Sequence, residues 1–352
     1  MDIELFDYDL PEELIAQSPE KKRDEARMMA VDREHRTYEH RIFHDIVDYL
    51  HPGDVMVRNN TKVIPARLIG VKEDTGGRCE VLLLKQFEGD VWECLCGNAH
   101  SVHPGTVVSF GEGRMKATCV KELPEGIRHF EFHYHGIFLE ELDQLGKMPL
   151  PPYIKKQCED NDDYQTVYAS VPGSAAAPTA GFHFTKELFE KIEAMGVEVV
   201  DVTLNIGLGT FRPVKVKDTK DHVMHSELYE VSQHAADRLN LAKAEKRRII
   251  AIGTTSVRTL EANITKYGKF TPTKEETKIF ISPGYAYQAV DALVTNFHLP
   301  KSTLVMLVSA FMGRKFTLEC YREAVRQKYR FFSFGDAMFI YGNYDYSHNL
   351  ED

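Results

Sequence analysis

The 352-residue chain contains one tryptophan, no run of 18 apolar residues, no CxxC spacing among its cysteines and no excess of positive charge. Each absence excludes something. Without a long apolar run no membrane-spanning helix is expected. The N-terminal MDIELFDYDLPEELIAQ is acidic and interrupted by proline, unlike a secretory signal, so a cytoplasmic location is expected. Cys79, Cys94, Cys96, Cys119, Cys158 and Cys320 sit mostly in strand-like apolar runs, a pattern that fits reduced core thiols rather than a disulfide framework or a zinc site. The formal charge of −10 argues against indiscriminate binding to nucleic acid, which depends on many cationic contacts to phosphate. Only local clusters could form a basic track: Lys21 to Arg23, Lys155 with Lys156, Lys215 with Lys217, Lys243 to Arg248 and Arg326 to Arg330. GxGxxG and the Walker lysine are missing too, so an NAD-type Rossmann site or a nucleotide-binding methyltransferase is not supported. No internal repeat and no heptad pattern occurs, and a monomer is the default expectation.

What is present is a well-stocked core, with 43% apolar and 11% aromatic residues over a length that suits two or three domains. Its character changes along the chain. The first sixty residues are mixed, with a helix-like FHDIVDYL at Phe43–Leu50, a Pro52-Gly53 turn and a strand-like Asp54–Val57. From about Lys62 to Tyr134 come short β-like runs, VIPARLIGVK, RCEVLLLKQF, DVWECLC, GTVVSF, RMKATCVKEL and IRHFEFHYH, separated by turn signals. In the last of them Phe130, Phe132 and Tyr134 alternate with Glu131 and His133, the period of a half-buried strand. Such a block without helices predicts a small antiparallel barrel.

From about Pro149 onward strands alternate with helices. Thr185 is placed to cap a helix carrying Leu188, Ile192 and Met195, with Phe184 and Phe189 as a hydrophobic staple and Gly196 as its stop. VEVVDVTL, Arg248–Ile252, TKIFIS, ALVTNF and AMFIYG read as strands, and STLVMLVSAF and LECYREAVRQKY as helices. The fold expected is α/β: a three-layer α/β/α-type domain formed by residues 1–61 and 149–352, discontinuous in sequence, with residues 62–148 inserted as an antiparallel β-barrel domain.

Three small, hydroxylated, glycine-rich segments stand out: PGSAAAPTAGFHF at Pro172–Phe184, NIGLGTFRP at Asn205–Pro213 and GTTSVRTLE at Gly253–Glu261. Such segments serve where backbone must approach a polar ligand closely. Gly253-Thr254-Thr255-Ser256 lies at a strand-to-helix turn into a helix beginning near Val257, where free N–H groups and the helix dipole favour an anion. The plain alternative is that Thr254 or Ser256 merely caps the helix. Arg258 and Glu261 are spaced to pair with each other or to face substrate. The loop after VEVVDVTL brings Thr210 and Arg212 towards a ligand, or is simply a glycine turn.

His222, His225 and Glu227, in HVMHSE, could imitate a metal site with His183 or His298, although HxxH without its glutamate is a weak metal signature. Proton transfer suits these imidazoles equally. A metal-dependent hydrolase built on His222, His225 and Glu227 is thus one competing function. A noncatalytic RNA-binding module is another. YRFFSFGDA at Tyr329–Ala337 mixes aromatic residues with Arg330 and Asp336; the rings are core or a stacking surface for bases.

Read in order, FDYDLPEELIAQ, GDVMVRNNTKVIPARL, MPLPPYI, YQTVYA, GSAAAPTAGFHFT, VTLNIGLGTFRPV, HVMHSE, GTTSVRTLE, FISPGY, TNFHLPKSTLVMLVSAFMG and YRFFSFGDAM resemble the S-adenosylmethionine:tRNA ribosyltransferase-isomerase family of queuosine biosynthesis over almost the whole chain. The resemblance implies a transferase acting on 7-aminomethyl-7-deazaguanine (preQ1) at the tRNA wobble position. Its ribosyl donor, S-adenosylmethionine, is consumed as a substrate, with adenine and methionine released and epoxyqueuosine formed. It implies no metal and no separate cofactor. Such chemistry asks for proton-transfer groups, an anion site and a groove for an outward-turned base. His183 and His225 are the candidates for proton transfer. Thr254, Thr255, Ser256 and Arg258 are candidates for anion and ribose contacts, and Gly181, Gly209, Thr210 and Arg212 for shaping the pocket. Asn296, His298 and Asp336 are candidates for base recognition or positioning. The chain departs from the family's wording at Asn205, where many members carry histidine, and at Phe182, Ala26 and Lys62; lysine at position 62 lacks the bidentate donor of the usual arginine.

Overall fold

A computed structural model of the chain describes residues 1–155, 161–207, 214 and 216–350. In chain order the strands and helices are β1 (Arg27–Asp32), β2 (Thr37–Ile42), β3 (Val55–Asn59), β4 (Thr61–Val63), β5 (Arg67–Lys72), β6 (Arg78–Gln86), β7 (Val91–Cys96), β8 (Val107–Phe110), β9 (Met115–Glu122), β10 (Ile127–His133), α1 (Phe138–Leu145), β11 (Val171–Ser174), α2 (Lys186–Ala194), β12 (Glu198–Leu204), β13 (Glu227–Val231), α3 (Gln233–Ala244), β14 (Ile249–Ile252), α4 (Thr254–Tyr267), β15 (Thr273–Thr277), β16 (Ala292–Asn296), α5 (Thr303–Met312), α6 (Arg314–Arg326) and β17 (Ala337–Tyr341). Two compact units result. One comprises Met1–Thr61, Pro152–Val171 and Pro178–Asp352, the other Lys62–Pro151 and Pro172–Ala177.

The second unit holds the closed antiparallel barrel, in the order β10-β7-β6-β5-β8-β9. Period-two burial produces it: in β7 Trp92, Cys94 and Cys96 point inward, and in β10 Phe130 and Phe132 do the same. These residues join Leu68, Val81, Leu83, Phe110 and Met115 in one core, and closure leaves no open sheet edge. Cys79, Cys94, Cys96 and Cys119 are free thiols inside this barrel, and Cys320 is free and buried in α6. Cys158 lies outside the described residues.

The first unit is built on a nine-stranded mixed sheet, ordered β15-β13-β12-β3-β14-β16-β17-β1-β2. Its centre is parallel: β12 with β3, β3 with β14, and β14 with β16. These strands are near-continuous apolar runs, as strands covered on both faces must be; all four residues of β14 are buried. Phe184, Leu188, Phe189 and Ile192 pack with Met56, Ile250, Ile252, Val294 and Phe339 in the main core. The start of α2 follows from local rules: the Thr185 hydroxyl accepts from the Leu188 N–H at 3.0 Å, and the Phe184 and Phe189 rings stack at 4.7 Å.

Three expectations about elements change. Residues 43–49 form a 3-10 helix, in which Phe43 and Ile46, three apart, both enter the core. Of TKIFIS only Thr277 belongs to a strand, because its hydroxyl accepts the Ile279 N–H at 3.1 Å and ends the ladder of β15. The helix after GTTS begins at Thr254, three residues earlier than its apolar periodicity suggests.

Candidate active site

Counted along the chain, the parallel strands β3, β12, β14 and β16 stand in the order 2-1-3-4, with the reversal between β3 and β14. Ligands of open α/β sheets bind beyond the carboxyl ends of the strands at such a reversal. At that edge lie Asn59 from β3, Leu204 from β12, Gly253 after β14 and Asn296 from β16.

Asn59 was not singled out in the sequence, yet it ties this edge together. It is wholly buried, and its Oδ1 accepts from the N–H groups of Thr61 (3.2 Å) and Leu204 (2.9 Å). Its Nδ2 donates to the Leu204 carbonyl (3.0 Å) and to the Thr255 hydroxyl oxygen (3.2 Å). Because Thr255 accepts here, its own hydroxyl proton is left to donate elsewhere. An asparagine ending a strand carries no local signal of this; only the adjacency of β3, β12 and α4 reveals it.

The N-cap of α4 is Gly253, at φ +86°, a conformation costly for side chains with a Cβ, and it has no side chain with which to cap the first turn. The N-cap is therefore neither Thr254 nor Ser256, and Ser256 Oγ donates back to the Ile252 carbonyl at 2.8 Å. One turn on, Arg258 does not meet Glu261. Its Nη1 pairs with the Glu227 carboxylate, while its Nε and Nη2, both buried, meet no acceptor among the described residues. Glu261 instead accepts from Tyr285 Oη (2.7 Å) and from the N–H groups of Gln288, Ala289 and Val290 (3.0, 2.9 and 3.1 Å), and burial raises its carboxyl pKa.

Glu227 is therefore a counter-ion. Its other oxygen accepts the Gly207 N–H at 3.0 Å, and His225 Nε2 stands 3.8 Å from it. His222 packs against Phe280 at 5.2 Å, its pKa lowered by burial. Among the described residues no group of three or more His, Cys, Asp or Glu is arranged to hold a metal. Gly209, Thr210 and Arg212 lie outside the described residues.

His183 is 3% exposed and sits in the 3-10 turn Thr179–His183. Burial first, then the nearby Arg23 and Arg330 charges, lower its pKa to about 4, against a hydrogen bond to Asn296 that raises it. It is neutral at pH 7. A small cavity of ≈ 20 Å³ beside it is lined by Glu20, Arg23, Phe182, Ser333 and Phe334 among others. Gly181, two residues earlier, has no room for a side chain: a Cβ there would stand 2.0 Å from Tyr168 Oη and 2.8 Å from Thr166 Cγ2. Gly181→Ala is expected to lose roughly 1–3 kcal/mol by overpacking. Denaturant unfolding measures this, and Tyr168→Phe in the same chain should recover part of the loss.

The remaining candidates hold structure. His298 Nε2 is 2.7 Å from the Thr295 hydroxyl, and burial lowers the imidazole pKa to about 3. Asp336 accepts the N–H groups of Arg27 (2.9 Å) and Arg330 (2.7 Å), so both its oxygens are committed to backbone, and burial raises its pKa. Phe331, Phe332 and Phe334 are buried, which makes them core and not a stacking surface. Several cations of the sequence clusters have carboxylate partners: Lys22 with Glu25, Lys155 with Glu12, Arg247 with Glu198, Arg248 with Asp54, Arg326 with Glu323 and Arg330 with Glu20.

The two neutral histidines make stability pH-dependent. Unfolded, each binds a proton near its ordinary pKa of 6.5; folded, they resist to about 4 and about 3. Stability is therefore full above pH 6.5 and falls as pH drops through that value towards 3. Chemical denaturation between pH 7.5 and 4 tests this, and His298→Gln should flatten the slope.

The chain matches the family model described as queuosine biosynthesis protein over residues 3–340. It is similar to the crystal structure of the S-adenosylmethionine tRNA ribosyltransferase of Thermotoga maritima, at 38% sequence identity and a TM-score of 0.56, the match covering 96% of this chain and 99% of the other. Match length and identity together show that the chain belongs to the queuosine biosynthesis protein family.

Proposed function

We propose that this protein is an S-adenosylmethionine:tRNA ribosyltransferase-isomerase. It transfers and isomerises the ribosyl moiety of S-adenosylmethionine onto 7-aminomethyl-7-deazaguanine at the wobble position, giving epoxyqueuosine, adenine and methionine. The observation that carries this reading, beside family membership, is the glycine-capped helix N-terminus at the strand reversal followed by Arg258, whose buried Nε and Nη2 meet no acceptor among the described residues. An anion is the ligand that completes such a cradle, and the methionine carboxylate supplies one.

In this scheme the sulfonium acidifies the 5′ carbon of the donor. Loss of that proton generates an ylide, adenine leaves from C1′, and the amine of the deazaguanine captures the rearranging sugar as methionine departs. The chain's residues bind and move protons. Thr254, Thr255, Ser256 and Arg258 receive the carboxylate and ribose, His183 and His225 handle protons, and Gly181, Gly209, Thr210 and Arg212 shape the pocket. Residues 1–61 and 149–352 serve as the catalytic domain and residues 62–148 as an inserted barrel. The enzyme works as a cytoplasmic monomer, without a resident metal or cofactor.

Arg258→Lys keeps a charge but removes the planar fork, and is expected to raise KM for S-adenosylmethionine about tenfold, roughly 1.4 kcal/mol, in steady-state assays. The test of the function is purified protein with S-adenosylmethionine and tRNA carrying the deazaguanine. Adenine and methionine released in equal amounts, only when that tRNA is present, support it. Formation of S-adenosylhomocysteine, or no consumption of the donor, overturns it.

A further inference from the structure

The contacts around His183 say more than that it is buried and neutral. Its Nε2 lies 2.7 Å from Asn296 Oδ1. Which way the Asn296 amide faces is fixed by its other end: Nδ2 stands 2.9 Å from the Phe332 carbonyl, 3.3 Å from the Ser333 carbonyl and 3.2 Å from Thr179 Oγ1. Two carbonyl oxygens can only accept, so the NH2 group faces them and the amide oxygen faces the imidazole. A neutral imidazole meeting an acceptor must present N–H to it.

The two carbonyls are themselves held in place. Phe332 adopts φ +72°, a left-handed conformation that a bulky residue rarely takes. It is kept there by its N–H bond to the Phe297 carbonyl (3.1 Å) and by the Gly335 N–H donating to the Phe332 carbonyl (2.9 Å). Tyr153 Oη meets Ser333 Oγ at 2.6 Å, and Asp336 clamps the Arg330 N–H at the start of the turn. Strain of this kind persists where surrounding structure over-determines it, and it gathers at functional sites.

We propose that Asn296 is a positioning residue that fixes His183 as the Nε2–H tautomer, leaving Nδ1 as the nitrogen that accepts the substrate proton. The proposal rests on the functional reading above and deepens it. Nδ1 makes no hydrogen bond to any described residue. With Nε2–H committed to Asn296, neutral His183 has a lone pair to offer and no proton to give, so it serves as a base and not as an acid. In the step assigned to it, the C5′–H bond of the donor breaks, the electron pair stays on carbon as the ylide, and the proton goes to Nδ1. The resulting imidazolium keeps its Nε2–H bond to Asn296 Oδ1. The charged groups around the ring are Arg23 and Arg330, which disfavour the imidazolium, and Glu20, which pairs with Arg330 and lines the same cavity.

Two measurements test this. In the free enzyme with 15N-labelled histidine, the His183 ring nitrogens, assigned by their loss in His183→Gln, should show Nε2 protonated and Nδ1 bare at pH 7.5; Nδ1 protonated instead overturns the proposal. In Asn296→Asp a carboxylate faces the same N–H, so the acid limb of kcat/KM for adenine release should move up by at least one pH unit, with kcat falling at least tenfold. A variant that only loses thermal stability, with its acid limb and kcat unmoved, contradicts the assignment. The nitrogen spectra decide the matter if that variant does not fold. Failure of the wild-type enzyme to release adenine would sink the functional reading and leave the tautomer result standing.

Discussion

His183→Ala is expected to slow the adenine-releasing step by two to four powers of ten, roughly the contribution of a positioned general base. Single-turnover assays with the deazaguanine-bearing tRNA measure it, since they separate chemistry from product release. Binding of S-adenosylmethionine should change little, because Asn59, Thr255 and Arg258 belong to other parts of the edge. The size of the effect follows from the local electrostatics. An imidazole that burial and two arginines hold neutral is available to accept a proton at every physiological pH. A near-wild-type rate in this variant would remove His183 from the chemistry and pass the role to His225, which stands beside the Glu227–Arg258 pair.

The second large effect concerns Glu261, which touches no candidate ligand group. Its carboxylate collects four donors from Tyr285 and the turn at residues 288–290, the turn that leads directly into β16. Truncation to alanine leaves the buried N–H groups of Ala289 and Val290 without an acceptor in a fully enclosed site. Each orphaned donor costs about 1–3 kcal/mol, so Glu261→Ala is expected to lose about 3–5 kcal/mol in denaturant unfolding. Glu261→Gln keeps one oxygen and should lose about half of that. Because β16 carries Asn296, the alanine variant should also lower kcat in whatever fraction remains folded. A loss under 1 kcal/mol would show that water replaces the carboxylate without difficulty.

How much of this was legible in the sequence depends on the range of the interaction. Thr185, Phe184 and Phe189 interact across a few residues, so their spacing alone announces the start of α2. Barrel strands show themselves by alternation, as Phe130 and Phe132 do. Gly253-Thr254-Thr255-Ser256 is recognisable because a strand running into a helix through glycine is itself a local motif. Residues whose partners are distant in sequence are harder. Asn59 meets Leu204 and Thr255, and both neighbours exist only once β3 lies between β12 and β14. Glu227 reads as a ligand beside His222 and His225 until Arg258, 31 residues away, is seen to claim it. Gly181 reads in sequence as a glycine that shapes the pocket, and its partners come from far along the chain: its missing side chain admits Tyr168. Asp336 and His298 look chemically capable in sequence, yet both Asp336 oxygens accept from backbone and His298 Nε2 is engaged with Thr295.

What distinguishes this reaction from methylation is that the sugar of S-adenosylmethionine, and not its methyl group, ends up on tRNA. The most direct measurement supplies a donor labelled with 13C in the ribose carbons, together with tRNA bearing 7-aminomethyl-7-deazaguanine, and weighs the nucleosides of the digested tRNA. The expected result is a wobble nucleoside carrying all five labelled carbons, formed in step with free adenine and methionine. Label confined to small molecules, or a tRNA heavier only by an unlabelled methyl group, would contradict it.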